Sequence, residues 1–324
     1  MLKVVKAQGQ GIVSDSGRWG YQHEGVPIGG VLDEFSYRLG NLALGNPDNA
    51  ACLELMGQFD FVCAKPCRVL FANRGAQAFL NGKPLLCGQL VVLQEGDLLR
   101  TRPPHLGFWN LLCVQGGVDV PEIMGSRSTC LSAGFGGFQG RALQVGDELH
   151  FGRQFTSCIQ AGIRLAMPLA RSEHSSQLTL HLLPGPEYFE LTENSQYLLA
   201  HQLFRLGMQS SRMGYRLEGS EHPLSLKQAV SLRSHAVHPG LVQLPPSGQV
   251  VVLLSEAQVT GGYPRLGSVL SCDLWKLSQL GAGESVSWVM VDETRAMHLQ
   301  ARHEHDRKRF EYAIECNKAI GNVD

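Results

Sequence analysis

The sequence predicts a mainly β protein built as two lobes of barrel or sandwich type, with few helices and a helical tail. Three observations carry this. Glycine is the commonest punctuation, at 37 of 324 residues. Short runs rich in β-formers alternate with it, and helical periodicity is confined to two stretches. A chain of this length, 44% hydrophobic and 18% charged, is long enough for two domains with a core each.

Taken in order, the strand candidates are CRVLFA (67–72), AQAFL (76–80), QLVVLQ (89–94), DELHF (147–151), QLTLHLL (177–183), VVVLL (250–254) and SVSWVMV (285–291). Asn81-Gly82, between AQAFL and KPLL, predicts a hairpin, since both residues tolerate positive φ. QEGDLL (94–99) and QVGDEL (144–149) read as matching Gly-Asp corners, each opening a strand. VLDEFSYRLGNLALGN (31–46) spaces Leu32, Phe35, Leu39, Leu42 and Ala43 as one helical face, with Asp33 near its start. The charged tail from Asp292 reads as a surface helix, with room for a break in its middle. Residues 152–176 lack a clean period. The expected division is a first lobe at 1–155, a linker at 156–175, a second lobe at 176–300 and a tail at 301–324.

Composition excludes several classes. A net charge of −1 and no Lys/Arg-rich run give no footprint for nucleic acid. No apolar run approaches the ~20 residues of a membrane span, and the N-terminus has no apolar secretory core. Nine scattered cysteines point to reduced thiols and a cytoplasmic location. Cys63 and Cys67 in CAKPC have the wrong spacing for a C-x-x-C site, and His298, His303 and His305 read as a solvated face, so no metal is expected. There is no phosphate-binding G-x-x-x-x-G-K-[ST] loop, no H-E-x-x-H and no G-x-S-x-G. GFGGFQG (134–140) fails the dinucleotide pattern at Gln139. No Met-Lys-Met occurs, so no covalent biotin is expected on this chain.

What remains is a set of polar, glycine-rich clusters. SDSGRWGY (14–21) offers Asp15 as an acceptor and Arg18 as a two-pronged anion grip. MGSRSTCLSAGFGGFQGR (124–141) sets Ser126, Arg127, Ser128 and Thr129 against a glycine-rich loop ending in Arg141, the composition of an anion nest or of a tight corner. SSRMGYRL (210–217) places Arg212 and Arg216 around Gly214-Tyr215. EAQVTGGYP (256–264) follows a buried-looking strand with Glu256, Gln258, Thr260, Gly261, Gly262 and Tyr263. That is more hydrogen-bonding capacity than a connector needs.

These motifs, in this order, resemble the allophanate hydrolase subunit 2 family. It includes the C component of bacterial 5-oxoprolinase, the KipA proteins and half of the carboxyltransferase domain of urea carboxylase, and is biotin-dependent carboxyltransferase-like. DSGRWGY, GVPIGGVLDEFSYRLGNLALGN, GGVDVPEIMGSRST, GFGGFQGRALQVGD, LPGPE, SSRMGYRLEG, HPGLVQLPPSGQVVVL and EAQVTGGYPRLGSVLSCDLWKLSQLGAGE carry the match across nearly the whole chain. Departures occur at Ser14, Ser211, Glu256 and Val259, where the family usually has Gln, Asn, Asp and Thr.

The resemblance implies cyclophilin-like β lobes and a role in ATP-dependent opening of 5-oxo-L-proline to L-glutamate. It implies two partners, an allophanate hydrolase subunit 1 (KipI-like) chain and a LamB/YcsF-type chain, with ATP bound together with a partner. On that footing Arg18 or Arg212 would hold the substrate carboxylate. Gln258 with Gly261 and Gly262 would face the oxyanion, and Asp15 and Glu256 would orient water. Ser126, Arg127, Ser128, Thr129, Arg141, Tyr215, Thr260 and Tyr263 would line the substrate pocket. The alternatives are a carboxyltransferase half-site that passes carboxyl from a partner's biotin to urea or a similar amide, and a KipA-type regulator that binds a KipI-like protein without turnover.

Overall fold

The computed structural model of the chain describes residues 1–73, 75–153, 158–170, 175–230 and 232–321. Residues 154–157 and 171–174, inside the stretch expected to link the lobes, lie outside the described residues. The chain divides into two compact units. One holds Met1–Arg18, Gly29–Leu169 and the residues from Asp306 onward; the other holds Trp19–Ile28 and Ala170–His305. The fold is mainly β with four α-helices among the described residues, as the sequence predicts.

The first unit is organised by two long antiparallel strands, Leu2–Ser14 and Cys52–Cys63, paired from Leu2 opposite Cys63 to Ser14 opposite Cys52 with a shift of register between Val4 and Lys6. Cys52–Cys63 then pairs on its other edge with Trp109–Val114 and Leu98–Arg102, within a nine-stranded sheet. Alternation sends Leu53, Leu55, Phe59 and Phe61 into one core with Leu2, Val4, Val69, Leu99, Leu112 and Val114. The Asn81-Gly82 hairpin forms as expected: Gln77–Leu80 pairs with Lys83–Leu85, and the turn residues take φ of 50° and 83°. Both Gly-Asp corners close in the same way, the Asp97 and Asp147 carboxylates accepting from the Gln94 and Gln144 N–H groups at 2.7 and 2.8 Å.

Helix Glu34–Ala43 fills the helical stretch read at 31–46, with the Asp33 carboxylate capping the Ser36 N–H at 2.9 Å. The tail is one continuous helix, Glu293–Gly321, without the break that the sequence allowed. Its segment 293–321 has no proline and no glycine before its last residue. Asp292 caps Arg295 N–H at 2.7 Å, and pairs such as Arg307–Glu311 and Glu315–Lys318 support its turns. In the first unit Phe310 meets Phe35 edge-on at 5.5 Å, and Ile314 is buried.

The second unit closes into a seven-stranded barrel. Strand Gln177–Pro184 runs parallel to Ser285–Met290 and antiparallel to Arg265–Val269; Leu241–Gln243, Val250–Leu253, Gly214–Gly219 and Phe204–Leu206 complete the circuit. Leu178, Leu180 and Leu182 point inward while Gln177 and Thr179 face solvent. A separate two-stranded ribbon pairs His235–Ala236 with Thr260–Gly261. Among the described residues no helix is long and apolar enough to cross a membrane, and no group of three or more His, Cys, Asp or Glu is placed to hold a metal ion.

Candidate functional site

The residues singled out in the sequence fall into two clusters, one in each unit. In the first, Asp15 directly follows the strand Leu2–Ser14 and is buried. Its Oδ1 accepts from the Gly17 N–H (2.9 Å), the Ser126 hydroxyl (2.7 Å) and the Ser128 hydroxyl (2.6 Å); its Oδ2 accepts from the Arg127 N–H at 2.5 Å. One carboxylate therefore organises the whole turn 126–128. Thr129 closes the arrangement by donating both its N–H and its hydroxyl to Val13 O, each at 2.9 Å.

Arg18 is 1% exposed. Its Nε donates to Ile123 O at 3.0 Å and its Nη2 to Ser128 O at 2.9 Å, while the guanidinium lies 4.7 Å from the Phe135 ring centroid. Burial lowers its pKa, with the nearby Cys130 and Asp15 opposing that shift. Arg141 is taken by a two-pronged bond to Asp147, 2.8 Å on each side, and Arg127 by Glu122 at 3.0 Å. Gly136, Gly137 and Gly140 of the loop 134–140 serve packing. A Cβ at Gly137 would stand 1.9 Å from Thr129 Oγ1 and one at Gly136 2.3 Å from Ser128 O, and both residues have positive φ.

The second cluster sits on the barrel. Strands Gly214–Gly219 and Val250–Leu253 pair with Gly214 opposite Leu253, which brings the segments 210–213 and 254–258 to the same end. There Arg212, 4% exposed, donates through Nε to Glu256 Oε1 at 2.7 Å, with Glu256 9% exposed. The Glu256 N–H also donates to Arg212 O at 3.0 Å. This buried pair fastens the start of the 256–264 segment. Tyr215 is buried beside it on its strand. Beyond Ala257 the chain rises to the surface: Gln258 and Thr260 are exposed, Gly261 and Gly262 half-buried, and Tyr263 is 46% exposed.

Two neighbours of this segment were not among the candidates read from the sequence. Gln243 lies in a barrel strand, is 1% exposed, and its Nε2 has no hydrogen-bond partner among the described residues. His235, opposite Gly261 in the ribbon, also has a buried Nε2 without a partner among them. The signal for Gln243 was present as a lone amide inside the apolar run LVQL. Close by in sequence, Arg265 grips Glu187 with Nε and Nη2 at 2.8 and 2.7 Å, and this bond holds the Glu187 carboxyl below the usual carboxylate range.

Comparison with known proteins assigns the family. The chain is 35% identical to the C component of Escherichia coli 5-oxoprolinase over 95% of its own length and 96% of that protein's. It is 32% identical to the Haemophilus influenzae protein of the same name, over 94% and 96%. It is also 26% identical to the urea amidolyase of Lachancea kluyveri over 88% of this chain, which is 16% of that longer protein. The solved structure of Kluyveromyces lactis urea carboxylase superposes with a TM-score of 0.85 at 22% identity, over 95% of this chain and 29% of the other, and so shows the shared fold. The profile of the carboxyltransferase domain, subdomains A and B, matches residues 24–290, and the chain belongs to that family, as its motifs led us to expect.

Proposed function

We propose that this chain is the C-type component of an ATP-dependent 5-oxoprolinase, opening the lactam of 5-oxo-L-proline to L-glutamate with partner subunits. The observation that carries the reading is the match, nearly end to end in both proteins, to relatives named as the C component of 5-oxoprolinase. The partners we propose are a KipI-like (allophanate hydrolase subunit 1) chain and a LamB/YcsF-type chain, with ATP bound together with a partner.

The chemistry needs an activated amide. Phosphoryl transfer from ATP to the lactam oxygen makes the carbonyl carbon electrophilic. One water then adds to that carbon as the C–N bond breaks and the nitrogen gains a proton, and a second water releases phosphate from the acyl phosphate. The protein's task is to hold the amide, present donors to the developing oxyanion and steer water. We assign the amide-facing work to the segment 258–263 of the second unit, with Arg212 and Glu256 positioning it through their buried pair. We assign Asp15, Arg18, Ser126, Ser128, Thr129 and Arg141 to the scaffold of the first unit, because their hydrogen bonds are made within it.

Co-expression with both partner types, followed by assays for glutamate and ADP, tests the proposal. Glutamate release that needs ATP and all three chains supports it; a pure complex that releases no glutamate overturns it. The family profile and the urea carboxylase likeness favour one second reading, carboxyl transfer from a partner's biotin to an amide nitrogen. Activity that depends on a biotinylated partner would select that reading.

A further inference from the structure

We propose that the first unit carries a binding site for a small apolar carboxylate, in a cavity between the tail helix and the segment 164–167. All the residues that line it belong to the first unit, whereas the segment 258–263 belongs to the second. The inference therefore goes beyond the hydrolase reading and does not depend on it.

Room is the first observation. The cavity measures about 440 Å³, within the range of small-molecule sites. Leu39, Leu165, Met167 and Ile314 line it and are buried, and Phe310 joins them half-buried. Protein interiors are ordinarily packed without voids of this size. An apolar hollow left to water is unfavourable, and an apolar guest that covers it gains by doing so.

The two walls are fastened to different elements, so the gap is built into the fold. The segment 162–165 is tied to the edge of the sheet. Leu90 N–H donates to Ile163 O at 3.1 Å, Gly162 N–H to Leu90 O at 2.9 Å and Leu165 N–H to Gly88 O at 2.9 Å. Gly88 is needed for this approach, since its φ is 78° and a Cβ there would stand 2.2 Å from Leu165 O. The tail helix is tied instead to helix Glu34–Ala43, through the Phe35–Phe310 ring contact and through Arg38 Nε, which donates to Glu311 Oε1 at 2.7 Å. Between the walls, Ala166 and Ala313 are exposed lining residues whose short side chains leave the entrance open.

Charge selects the head group. Arg164 is exposed at the cavity and is steadied by its Nε, which donates to Cys87 O at 3.2 Å. Arg309 is 74% exposed and stands 3.9 Å from Asp306 Oδ1, the outer limit of an ion pair and a weak one in water. Asn317 uses its amide on Ala313 O at 2.8 Å. Two guanidiniums thus face one carboxylate among the lining residues. An ammonium head would meet an excess of like charge, whereas a carboxylate meets paired N–H donors suited to its two oxygens. The apolar wall takes the body of the same molecule.

The test uses the full chain, titrated calorimetrically with sodium decanoate, decyltrimethylammonium bromide and sodium acetate, the first two below their micelle concentrations. Decanoate should bind one to one and at least tenfold more tightly than the cation of the same tail, while acetate should show no binding at about 5 mM. Arg164→Gln should weaken decanoate about tenfold, the scale of one lost hydrogen bond to a charged group. Ala313→Trp should abolish binding by filling the entrance, and Ala166→Phe should do the same from the other wall. Thermal unfolding checks each variant; should one of the two filling variants unfold, the other carries the test. Equal binding of the two tails, many molecules bound per chain, unchanged decanoate affinity in a folded variant, or no binding at about 5 mM decanoate would overturn the proposal.

Discussion

The glycine-rich loop at 134–140 and the glycine pair at 261–262 look alike in the sequence, yet their glycines answer different needs. At Gly136 and Gly137 positive φ and backbone packed within van der Waals distance leave no room for another residue, and the neighbouring Asp15, Ser126, Ser128 and Thr129 bond to one another or to the backbone. At Gly261 the backbone is ordinary, and a Cβ would stand 3.0 Å from the buried Gln243 Nε2, an amide nitrogen without a partner among the described residues. The comparison teaches that density of polar and glycine residues marks a place where backbone and side chains come close. Only the state of their hydrogen bonds separates a scaffold from a binding surface.

The comparison can be broken most severely at Asp15. Asp15→Ala removes four hydrogen bonds and strands two hydroxyls and two N–H groups in the interior, so it should cost about 3–5 kcal/mol or prevent folding. A denaturation midpoint close to wild type would show that the turn 126–128 does not depend on it. Arg212→Met comes next. It leaves Glu256 as a buried charge without its cation, at a cost of about 3 kcal/mol, and adding Glu256→Leu should restore most of that. A double variant no more stable than the single one would contradict the pairing.

A smaller effect is set by pH. Arg265 depresses the folded-state pKa of Glu187, so their bond contributes stability in full above the unfolded value, near pH 4.3. That contribution falls away as pH drops from there through the depressed folded value. In Glu187→Gln the acid limb of a stability–pH profile should be shallower than in wild type; identical profiles would remove the pair as a contributor. The smallest effect sharpens the contrast. Gln243→Leu deletes a buried donor that has no partner among the described residues, so its stability should stay within about 1 kcal/mol of wild type. A loss as large as that of Asp15→Ala would mean that Gln243 is scaffold too.

Much of the fold was legible because its signals are local. Asn81-Gly82 sets its turn through two residues that accept positive φ, Asp33 caps a helix three residues away, and Asp97 and Asp147 close their corners within four residues. The barrel's circuit was not legible, since it depends on Gln177–Pro184 finding Ser285–Met290 about a hundred residues on. The tail's continuity was hidden by its charge, which weakens the apolar period although nothing in it breaks a helix. Arginines 18 and 212 drew attention as carboxylate grips and Arg141 as a pocket residue at the end of a glycine-rich loop; each has neighbours that engage it, carbonyls for Arg18, Glu256 for Arg212 and Asp147 for Arg141. Gln243 and His235 escaped notice because an unmet hydrogen bond exists only once the strands around it are in place.

The central claim is that the ligand-facing surface lies in the segment 258–263 rather than in the Asp15 turn. A nitrogen–proton correlation spectrum of the chain, titrated with 5-oxo-L-proline, tests this most directly. The account predicts that the side-chain amide signals of Gln243 and Gln258 and the backbone signals of 258–262 move with the ligand, while Arg127, Ser128 and Gly136 stay fixed. Movement confined to the second set would contradict it.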